Sequence, residues 1–286
     1  MNLDLNEITF IIVSYKAKQV IYNCISSLPK FSKKIVIENS YDQDLKKELE
    51  NKYDNIEVIL NKNQGMGASN NIGIRKTNTK FVFVLNPDVV FKENTLFNLV
   101  EAVKNIDDFS ILTPINEDKN FPNYEIKNNY SNIKDDILEV DVVDGFSMLI
   151  NKSKFDNENY FDENFFLYLE NTDLCLRQKN KKGKIFVIKN SEIKHLGSYS
   201  TKLDQSNQME YIRNWHWMWS KFYFNKKHYG YSIALFKTSG NLISAILKSI
   251  FYIFYFNRHK LKIYKMRLSG LINSMLGKKS FYRSED

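Results

Sequence analysis

The tripeptide Asn86-Pro87-Asp88 follows directly on the apolar run Phe81–Leu85. A carboxylate at the end of a buried strand can hold Mg²⁺ or Mn²⁺ against a diphosphate, because these ions prefer oxygen ligands and usually share them with phosphates. A simple turn explains the same residues, because proline cannot donate to a strand ladder and both Asn and Asp favour turns. The tripeptide alone leaves both explanations open.

Two further stretches carry groups suited to acid–base or metal chemistry. Glu170 and Asp173 precede a helical pattern, and residues three apart in the first turn of a helix lie on one face. The pair could therefore point into a cleft, although a cap at Asn171 or Thr172 followed by a first-turn acid needs no function. His195 lies in a polar stretch, where a lone histidine is either structural or the partner of a metal or phosphate.

A glycine-rich segment, residues 61–73, is a candidate phosphate site. Gly65 and Gly67 permit a tight turn, and a helix that begins soon after them would present free N–H groups to an anion. The segment also approximates a dinucleotide-binding fingerprint, because Asp88 follows it at about the sequence separation expected of the acidic residue that binds the ribose. However, Asn70 stands at the third glycine position, and the loop follows the third strand rather than the first. The match is therefore weak.

These groups need a scaffold, and the apolar pattern predicts an α/β fold. Short β-rich runs alternate with segments of helical periodicity, which is typical of a mostly parallel, Rossmann-like sheet with helices on both faces. The predicted strands are residues 8–14, 34–39, 56–61, 80–86, 109–114 and 140–150. Ligands of such sheets bind at the carboxyl ends of the strands. Ser14-Tyr15, Glu38-Asn39 and Asn86-Pro87-Asp88 lie at such ends, which favours the functional explanation of the tripeptide.

Length and composition limit the class of protein. With 286 residues, 43% of them hydrophobic, the chain can form one large domain or one domain with an appendage. The two cysteines, Cys24 and Cys175, provide neither a disulfide framework nor a metal cluster, which predicts a reducing compartment. The acidic start and the short apolar stretch at residues 8–13 predict a first buried strand rather than a secretory signal.

The net charge of +8 is concentrated in the C-terminal part of the chain. Lys and Arg outnumber Asp and Glu by 14 to 3 in residues 206–286, whereas residues 1–205 carry 27 against 30. Residues 242–256 form an apolar stretch, followed by a basic cluster at 258–267. The stretch is short for a membrane span, which needs about 20 residues. This order is typical of a helix on an anionic leaflet, and the alternative is a core helix packed on the body.

Taken together, these motifs resemble those of the family 2 glycosyltransferases with a GT-A fold, in particular the bacterial rhamnosyltransferase branch that builds O-antigens, capsules and cell-wall polysaccharides. The resemblance runs in order over residues 8–201, through IIVSY, IVIENS, NQGMGASNNIGI, VLNPD, DGFSMLI, FDENFFLYLENTDLCLR and HLGSYST. It implies a GT-A nucleotide-sugar-binding catalytic domain over residues 1–205. Residues 206–286 would then form a helical, basic and amphipathic region for membrane or acceptor association.

The resemblance also implies roles for individual residues. Asn86-Pro87-Asp88 stands where other members carry Asp-x-Asp, so Asp88 is expected to coordinate Mg²⁺ or Mn²⁺ on the nucleotide diphosphate, with His195 close to the metal. Glu38 stands where the family usually has Asp, an acceptor for the N3–H of uracil or thymine. The residues implied at the nucleotide are Ser14, Tyr15, Glu38, Asn63, Gly65, Asn71 and Asn86, and those implied at the donor sugar or acceptor are Asp144 and Gly145.

One departure from the family concerns the catalytic base. The family usually has Glu-Asp where this chain has Glu170-Asn171, and the Asp is generally assigned as the base. An amide cannot accept a proton at neutral pH. We therefore expect Glu170 to be the base, because it shares the loop that presents the missing Asp, with Asp173 as the alternative.

The sequence thus predicts an inverting, metal-dependent glycosyltransferase. We expect it to transfer L-rhamnose from dTDP-L-rhamnose to a hydroxyl of a lipid-linked or growing polysaccharide acceptor, with a UDP-hexose or UDP-galactofuranose as the alternative donor. The expected location is peripheral, on the cytoplasmic face of the membrane, and nucleic acid is not an expected partner. Aromatic residues in 211–224 suit a homodimer as well as a lipid surface.

Two other classes of protein compete with this prediction. A NAD-dependent oxidoreductase would explain the loop with Gly65 and Gly67, but it leaves Asn86-Pro87-Asp88 and the Glu170/Asp173 pair without a role. A catalytically weak nucleotide-sugar-binding protein would explain Asn171. The first predicts binding of NAD, and the second predicts binding of a nucleotide sugar without turnover.

Overall fold

The structure, a computed structural model, describes residues 3–127, 134–156, 160–197 and 207–283. The chain divides into two compact units. The first comprises Met1–Asp162 and Asn171–Ser200, and the second comprises Glu163–Glu170 and Thr201–Asp286. The domain boundary predicted between 205 and 206 stays a prediction, and the second unit also takes in a segment from the middle of the sequence. Residues 198–201 of the HLGSYST segment lie outside the described residues.

The first unit alternates strands and helices along the chain. Its strands are β1 (Ile8–Ser14), β2 (Lys33–Glu38), β3 (Ile56–Leu60), β4 (Phe81–Leu85), β5 (Val89–Phe91), β6 (Ile111–Asn116), β7 (Tyr124–Glu125), β8 (Ile137–Glu139), β9 (Val142–Val143), β10 (Ser147–Asn151) and β11 (Ile185–His195). Its helices are α1 (Lys18–Ser26), α2 (Gln43–Lys52), α3 (Met66–Lys76), α4 (Thr95–Val103) and α5 (Glu170–Asn180), of which the first residue, Glu170, groups with the second unit.

Nine of these strands form one mixed sheet in the order β3-β2-β1-β4-β10-β6-β11-β5, with β8 also paired to β11. The first four strands in this order are parallel, and the crossovers between them contain α1, α2 and α3. Beyond β4, the antiparallel β10 leads to a parallel β6–β11 pair. The predicted strand at 140–150 consists of β9, a turn at Gly145-Phe146 and β10, because Gly, here preceded by Asp144, favours turns.

Both faces of the parallel strands are covered, which explains their continuous apolar sequences. Every residue of β1 and β4 is buried. On one face the rings of Phe10 and Phe83 stack with centroids 5.7 Å apart. On the other face α3 lies so close to β1 that a Cβ on Gly73 would lie 2.6 Å from Cγ2 of Ile11. The predicted α/β architecture with helices on both faces is confirmed.

The second unit contains three long helices, α6 (Asn207–Tyr229), α7 (Tyr231–Phe254) and α8 (Arg258–Met275). The backbones of α6 and α8 approach closely at Gly270, where a Cβ would overlap the carbonyl of Trp215. The segment Glu163–Glu170 is held to α6, because Ser220 Oγ donates to the carbonyl of Leu167 at 2.8 Å. Among the residues that the structure describes, no helix combines the length and the hydrophobicity needed to cross a bilayer.

Candidate active site

Three polar groups lie at one edge of the parallel sheet. β1 and β2 pair in parallel with Ser14 opposite Glu38, the last residue of each strand. β4 pairs with β1 up to Leu85, opposite Ile12, so the loop that carries Asp88 leaves the sheet at the same edge. All three side chains are buried although all are polar. This edge is where parallel α/β sheets bind their ligands.

Glu38 presents one oxygen that the protein does not use. Its Oε1 accepts hydrogen bonds from the backbone N–H of Ser40, at 2.7 Å, and from the Ser40 hydroxyl. Its Oε2 and the neighbouring Ser14 Oγ are buried and have no hydrogen-bond partner among the described residues. A buried polar atom without a partner costs about 1–3 kcal/mol. The pair is therefore suited to a ligand that offers an N–H group. Tyr15, which follows Ser14, is half-buried.

The glycine-rich loop is fixed by its own polar residues. Asn63 Oδ1 accepts from the N–H of Gly65 at 3.1 Å, and Gly65 has φ of +101°, a left-handed conformation that favours glycine. The Asn71 carboxamide is occupied by the backbone of Phe161, donating to its carbonyl at 2.8 Å and accepting from its N–H at 3.0 Å. Its predicted contact with the nucleotide stays a prediction.

Asn70 is a further candidate site residue, which the sequence analysis did not single out. Its side chain is buried, and its Oδ1 has no hydrogen-bond partner in the described part of the chain. A signal was present, because Asn70 occupies the third glycine position of the dinucleotide-like spacing. Ser147, the first residue of β10, likewise has a buried hydroxyl without a partner among the described residues.

Asp88 and His195 are brought together by the pairing of β5 with β11. Val89 lies opposite His195 in this antiparallel pair, and the N–H of Leu196 donates to the Asp88 carbonyl at 3.1 Å. His195 Nε2 lies 3.5 Å from Asp88 Oδ1, an oxygen that has no hydrogen-bond partner among the described residues. The imidazole stacks on Phe146 with ring centroids 3.9 Å apart, which fixes its orientation.

Asp144 and Gly145 lie between β9 and β10, where Gly145 begins the turn. The Asp144 side chain is exposed, yet the surrounding protein still desolvates its carboxylate, which raises its pKa, while the nearby His195 opposes the shift. A Cβ on Gly145 would lie 3.3 Å from the Cβ of Asn171, so the start of α5 packs directly on this turn. Asn171 Nδ2 donates to the Val143 carbonyl at 2.8 Å. An ionised aspartate has no proton to donate there, which gives a structural reason for the amide.

Glu170 is the buried acid at the beginning of α5. Burial raises the pKa of its carboxyl to about 7, although a hydrogen bond from its own N–H opposes this shift. Its Oε2 has no hydrogen-bond partner within the described residues. The two preceding residues, Tyr168 and Leu169, have φ of +71° and +67°. Such a conformation costs a non-glycine residue about 1–3 kcal/mol, and such strain clusters at functional sites.

Asp173, the alternative base, has a different environment. It is completely buried, and its Oδ2 accepts from Nε of Arg177 at 2.9 Å. Arg177 also donates to the carbonyl of Tyr160. Asp173 is therefore part of a buried ion pair within the first unit, an arrangement that explains its burial without a role in proton transfer.

A divalent cation fits the residues around Asp88, although the described residues contain no cluster of three or more His, Cys, Asp and Glu side chains suited to a metal ion. Asp88 Oδ1, which accepts no hydrogen bond from the described residues, is a hard oxygen donor, and His195 Nε2, 3.5 Å away, is a candidate second ligand. Mg²⁺ usually keeps several waters and takes one or two carboxylates plus substrate phosphates. A site with few protein ligands suits such an ion only when a diphosphate completes it.

The chain belongs to glycosyltransferase family 2. The profile of that family, Glycosyl transferase family 2, matches residues 9–173, which is more than half of the chain and includes Ser14, Glu38, Asp88 and Glu170. The resemblance found in the sequence motifs is thereby confirmed.

Two curated proteins extend this assignment. The chain is 26% identical over 196 residues to the low-salt glycan biosynthesis hexosyltransferase Agl10 of Haloferax volcanii, covering 62% of this chain and 63% of that protein. It is 28% identical over 173 residues to the rhamnosyltransferase WbbL of Escherichia coli strain K12, covering 50% of this chain and 65% of that protein. The matches thus span less than two thirds of each relative.

A solved structure supports the fold. The crystal structure of GalNAc-T7 with UDP, GalNAc and Mn²⁺ is similar with a TM-score of 0.52 at 13% sequence identity, covering 83% of this chain and 57% of that chain. At this identity the likeness concerns the fold, and it confirms the predicted GT-A-like architecture.

Proposed function

We propose that this protein is an inverting, metal-dependent glycosyltransferase that moves a sugar from a nucleotide diphosphate to a hydroxyl of a glycan acceptor. The observation that carries the proposal is that Glu38, Asp88 and Glu170 are all buried, and each has a carboxylate oxygen without a hydrogen-bond partner among the described residues. They occupy the positions that the family resemblance implies for base recognition, metal binding and proton transfer. Without a ligand at these positions, the protein would bear the desolvation cost of three carboxylate oxygens that accept no hydrogen bond from it.

Glu38 is proposed to recognise the nucleobase. Ser40 donates to Oε1, and the second oxygen, which has no donor among the described residues, can accept the N3–H of uracil or thymine. Cytosine carries no hydrogen at this nitrogen, so the same carboxylate disfavours cytidine nucleotides. Ser14, opposite Glu38 in the sheet, and the adjacent Tyr15 complete this part of the proposed nucleotide site, with Asn63, Gly65 and Asn86.

Asp88 and His195 are proposed to hold the divalent ion, Mg²⁺ or Mn²⁺. When bound, the ion would neutralise charge on the diphosphate leaving group as a Lewis acid. Asp88 supplies a buried anionic oxygen, and its backbone is tied to Leu196, next to His195, so both ligands move together. Asp144 and Gly145 are proposed to border the donor sugar or acceptor.

Glu170 is proposed to be the catalytic base. A base acts best when its pKa lies near the operating pH, and burial raises the pKa of Glu170 to about 7. In its ionised form it would take the proton of the acceptor hydroxyl as that oxygen attacks the anomeric carbon from the face opposite the diphosphate. The configuration at that carbon would then invert. The ion pair of Asp173 with Arg177 supports this choice over Asp173.

The names of the relatives guide the choice of substrates. Because WbbL is a rhamnosyltransferase and Agl10 a hexosyltransferase of glycan biosynthesis, we favour L-rhamnose from dTDP-L-rhamnose. A UDP-hexose or UDP-galactofuranose is the alternative donor. The proposed acceptor is a lipid-linked or growing polysaccharide, such as an O-antigen or capsule precursor, at the cytoplasmic face of the membrane.

Transfer of label tests this function directly. The full chain with Mn²⁺ and a bacterial lipid extract is given labelled dTDP-L-rhamnose or a labelled UDP-hexose, and label in the lipid fraction is measured. We expect transfer from one donor and none after Asp88→Asn. Binding of a nucleotide sugar without transfer from any donor would instead favour the non-catalytic binding protein.

A further inference from the structure

Helix α7 packs with its small residues inward and its large apolar residues outward. The side chains that it buries are small, namely Ala234, Thr238, Ala245 and Ser249. Exposed are Ile233, Leu235, Phe236, Ile243, Ile246, Leu247, Ile250, Phe251, Ile253 and Phe254. A helix of a water-soluble protein normally shows the opposite arrangement.

The exposed apolar residues form a continuous stripe. At about 100° per residue, Phe236, Ile243, Leu247, Ile250 and Phe254 fall on one side of α7, opposite the buried small residues. We call these five residues the outer face. Phe236 is 81% exposed and Phe254 77%, so the unit itself leaves this face uncovered. Monomeric soluble proteins rarely expose a contiguous apolar surface of this kind.

The small inward residues explain how α7 is held despite this arrangement. The hydroxyl of Thr238 donates to the carbonyl of Ala234, and that of Ser249 to the carbonyl of Ala245, both at 2.7 Å. The buried hydroxyls are thus satisfied within the helix, and the small side chains allow neighbouring helices to approach. The outer face takes no part in this packing, because its residues are exposed.

In the sequence on both sides of this helix, the Lys, Arg, Asp and Glu side chains are of one sign. Residues 211–283 contain 14 Lys and Arg and no Asp or Glu. Glu210, the carboxylate just before this range, pairs with His259 at 3.0 Å. Lys237 and Lys248 lie three turns apart on the same flank of α7, and Lys248 Nζ lies 5.2 Å from the centre of the Tyr264 ring on α8. The α8 cations begin at Arg258, directly after the apolar helix.

We infer that the outer face of α7 is a membrane-binding surface that lies in the headgroup region of an anionic bilayer. The apolar stripe would contact the boundary of the acyl chains, and the flanking cations would contact the lipid phosphates. A second copy of the chain would cover the stripe but would bring like charges together, and a nucleic acid would match the charge but not the stripe. The inference gives the proposed lipid-linked acceptor a docking surface, so it rests in that respect on the proposed function.

Vesicle sedimentation with the full chain tests the inference. We expect binding to vesicles of phosphatidylcholine with phosphatidylglycerol, and much weaker binding to phosphatidylcholine alone. Phe236→Ser combined with Leu247→Ser should lower the partition coefficient about tenfold or more, with an unchanged melting temperature because both side chains are exposed. The matched control is Phe97→Ser with Phe121→Ser, which removes two apolar residues, 64% and 73% exposed, from the first unit. It should bind like the wild type.

A charge variant completes the design. Lys260→Ser with Lys265→Ser, two exposed positions of α8, should weaken binding to anionic vesicles and leave the weak binding to neutral vesicles unchanged. Equal binding of the outer-face variant and the wild type would overturn the inference. The inference would also be overturned if the protein formed a dimer that the outer-face substitutions dissociate and did not bind vesicles. Binding to an RNA oligonucleotide without binding to vesicles would overturn it as well.

The two proposals can fail separately. A chain that binds anionic vesicles through α7 but transfers no sugar from any donor leaves the membrane surface standing and removes the proposed function. A chain that transfers sugar but does not bind vesicles leaves the proposed function standing and removes the membrane surface.

Discussion

Glu170 begins α5 as a buried acid, and its Oε2 has no hydrogen-bond partner in the described part of the chain. Glu170→Gln keeps the size of the side chain and removes its ability to accept a proton. Since general-base assistance contributes roughly 10²–10⁴ in rate, we expect turnover to fall by about that factor. Nucleotide binding, measured by thermal stabilisation, should be retained.

Asp173→Asn is the matched comparison, because it makes the same chemical change three residues away. It breaks the buried pair with Arg177, and losing one partner of such a pair costs roughly 3–5 kcal/mol. We therefore expect a lower melting temperature with turnover largely retained in the folded fraction. If Asp173→Asn instead folds normally without turnover while Glu170→Gln stays active, the two roles must be exchanged.

The same burial makes the stability of the protein depend on pH. The folded-state pKa of Glu170 is about 7, above the ordinary value of 4.5, so the folded protein holds a proton that the unfolded chain releases. The contribution of Glu170 to the free energy of unfolding is therefore fully present below about pH 4.5, declines as pH rises and is lowest above pH 7. Glu170→Gln removes this loss, which amounts to up to about 3 kcal/mol.

Urea unfolding of the wild type and Glu170→Gln at pH 5 and pH 8 measures this effect. We expect the variant to gain stability over the wild type at pH 8 and little at pH 5. A gain of equal size at both values would mean that ionisation of Glu170 is not its source. Activity of the wild type should rise over the same range, since the base must be ionised.

The close approach of helix α3 to strand β1 determines where the glycine-rich loop lies. Gly73→Ala would place a Cβ 2.6 Å from Ile11, and overpacking of this kind costs about 1–3 kcal/mol. Gly240→Ala is the control, since the same methyl group on α7 meets open space and alanine is the better helix former by roughly 0.5–1 kcal/mol. Thermal unfolding should show a loss for the first variant and none for the second.

The sheet was predictable because its strands carry continuous apolar runs that end in polar residues. β1 extends over the predicted residues 8–14, and β4 lies within the predicted 80–86. Polar groups at Ser14, Glu38 and Asp88 follow from the rule that parallel sheets bind ligands at strand ends. Polar residues at the ends of strands can therefore be recognised in a sequence when both faces of the sheet are buried.

Other features depend on partners distant in sequence and were not predictable. The ion pair of Asp173 with Arg177 is local, but its burial depends on strands far along the chain. The bond from Asn171 to Val143 explains the amide at the usual position of the base, and only the folded chain shows that acceptor. The outward apolar side chains of α7 could not be distinguished from a core helix, because composition alone does not say which side is covered.

The N-terminal and C-terminal parts of the sequence carry net charges of opposite sign. Residues 206–286 carry 14 cations against 3 acids, and residues 1–205 carry 27 against 30. Since salt screens attraction between exposed charges and a lipid surface, raising the salt concentration should release the protein from anionic vesicles. Stabilisation by nucleotide and metal should change much less, because it depends on the buried Glu38 and Asp88. If salt reduced vesicle binding and nucleotide stabilisation to the same degree, the two kinds of ligand would not bind at separate sites.

Metal-dependent binding of a uracil or thymine nucleotide is tested most directly by thermal stabilisation of the purified chain with dTDP, UDP, CDP, GDP and NAD, each with and without Mn²⁺. A ligand that binds only the native state raises the apparent melting temperature. We predict a shift with dTDP or UDP that requires the metal and is lost in Asp88→Asn, with little shift for CDP. A shift with NAD alone, independent of Mn²⁺, would rule out the proposed nucleotide-sugar and metal site and leave Asn86-Pro87-Asp88 as a turn.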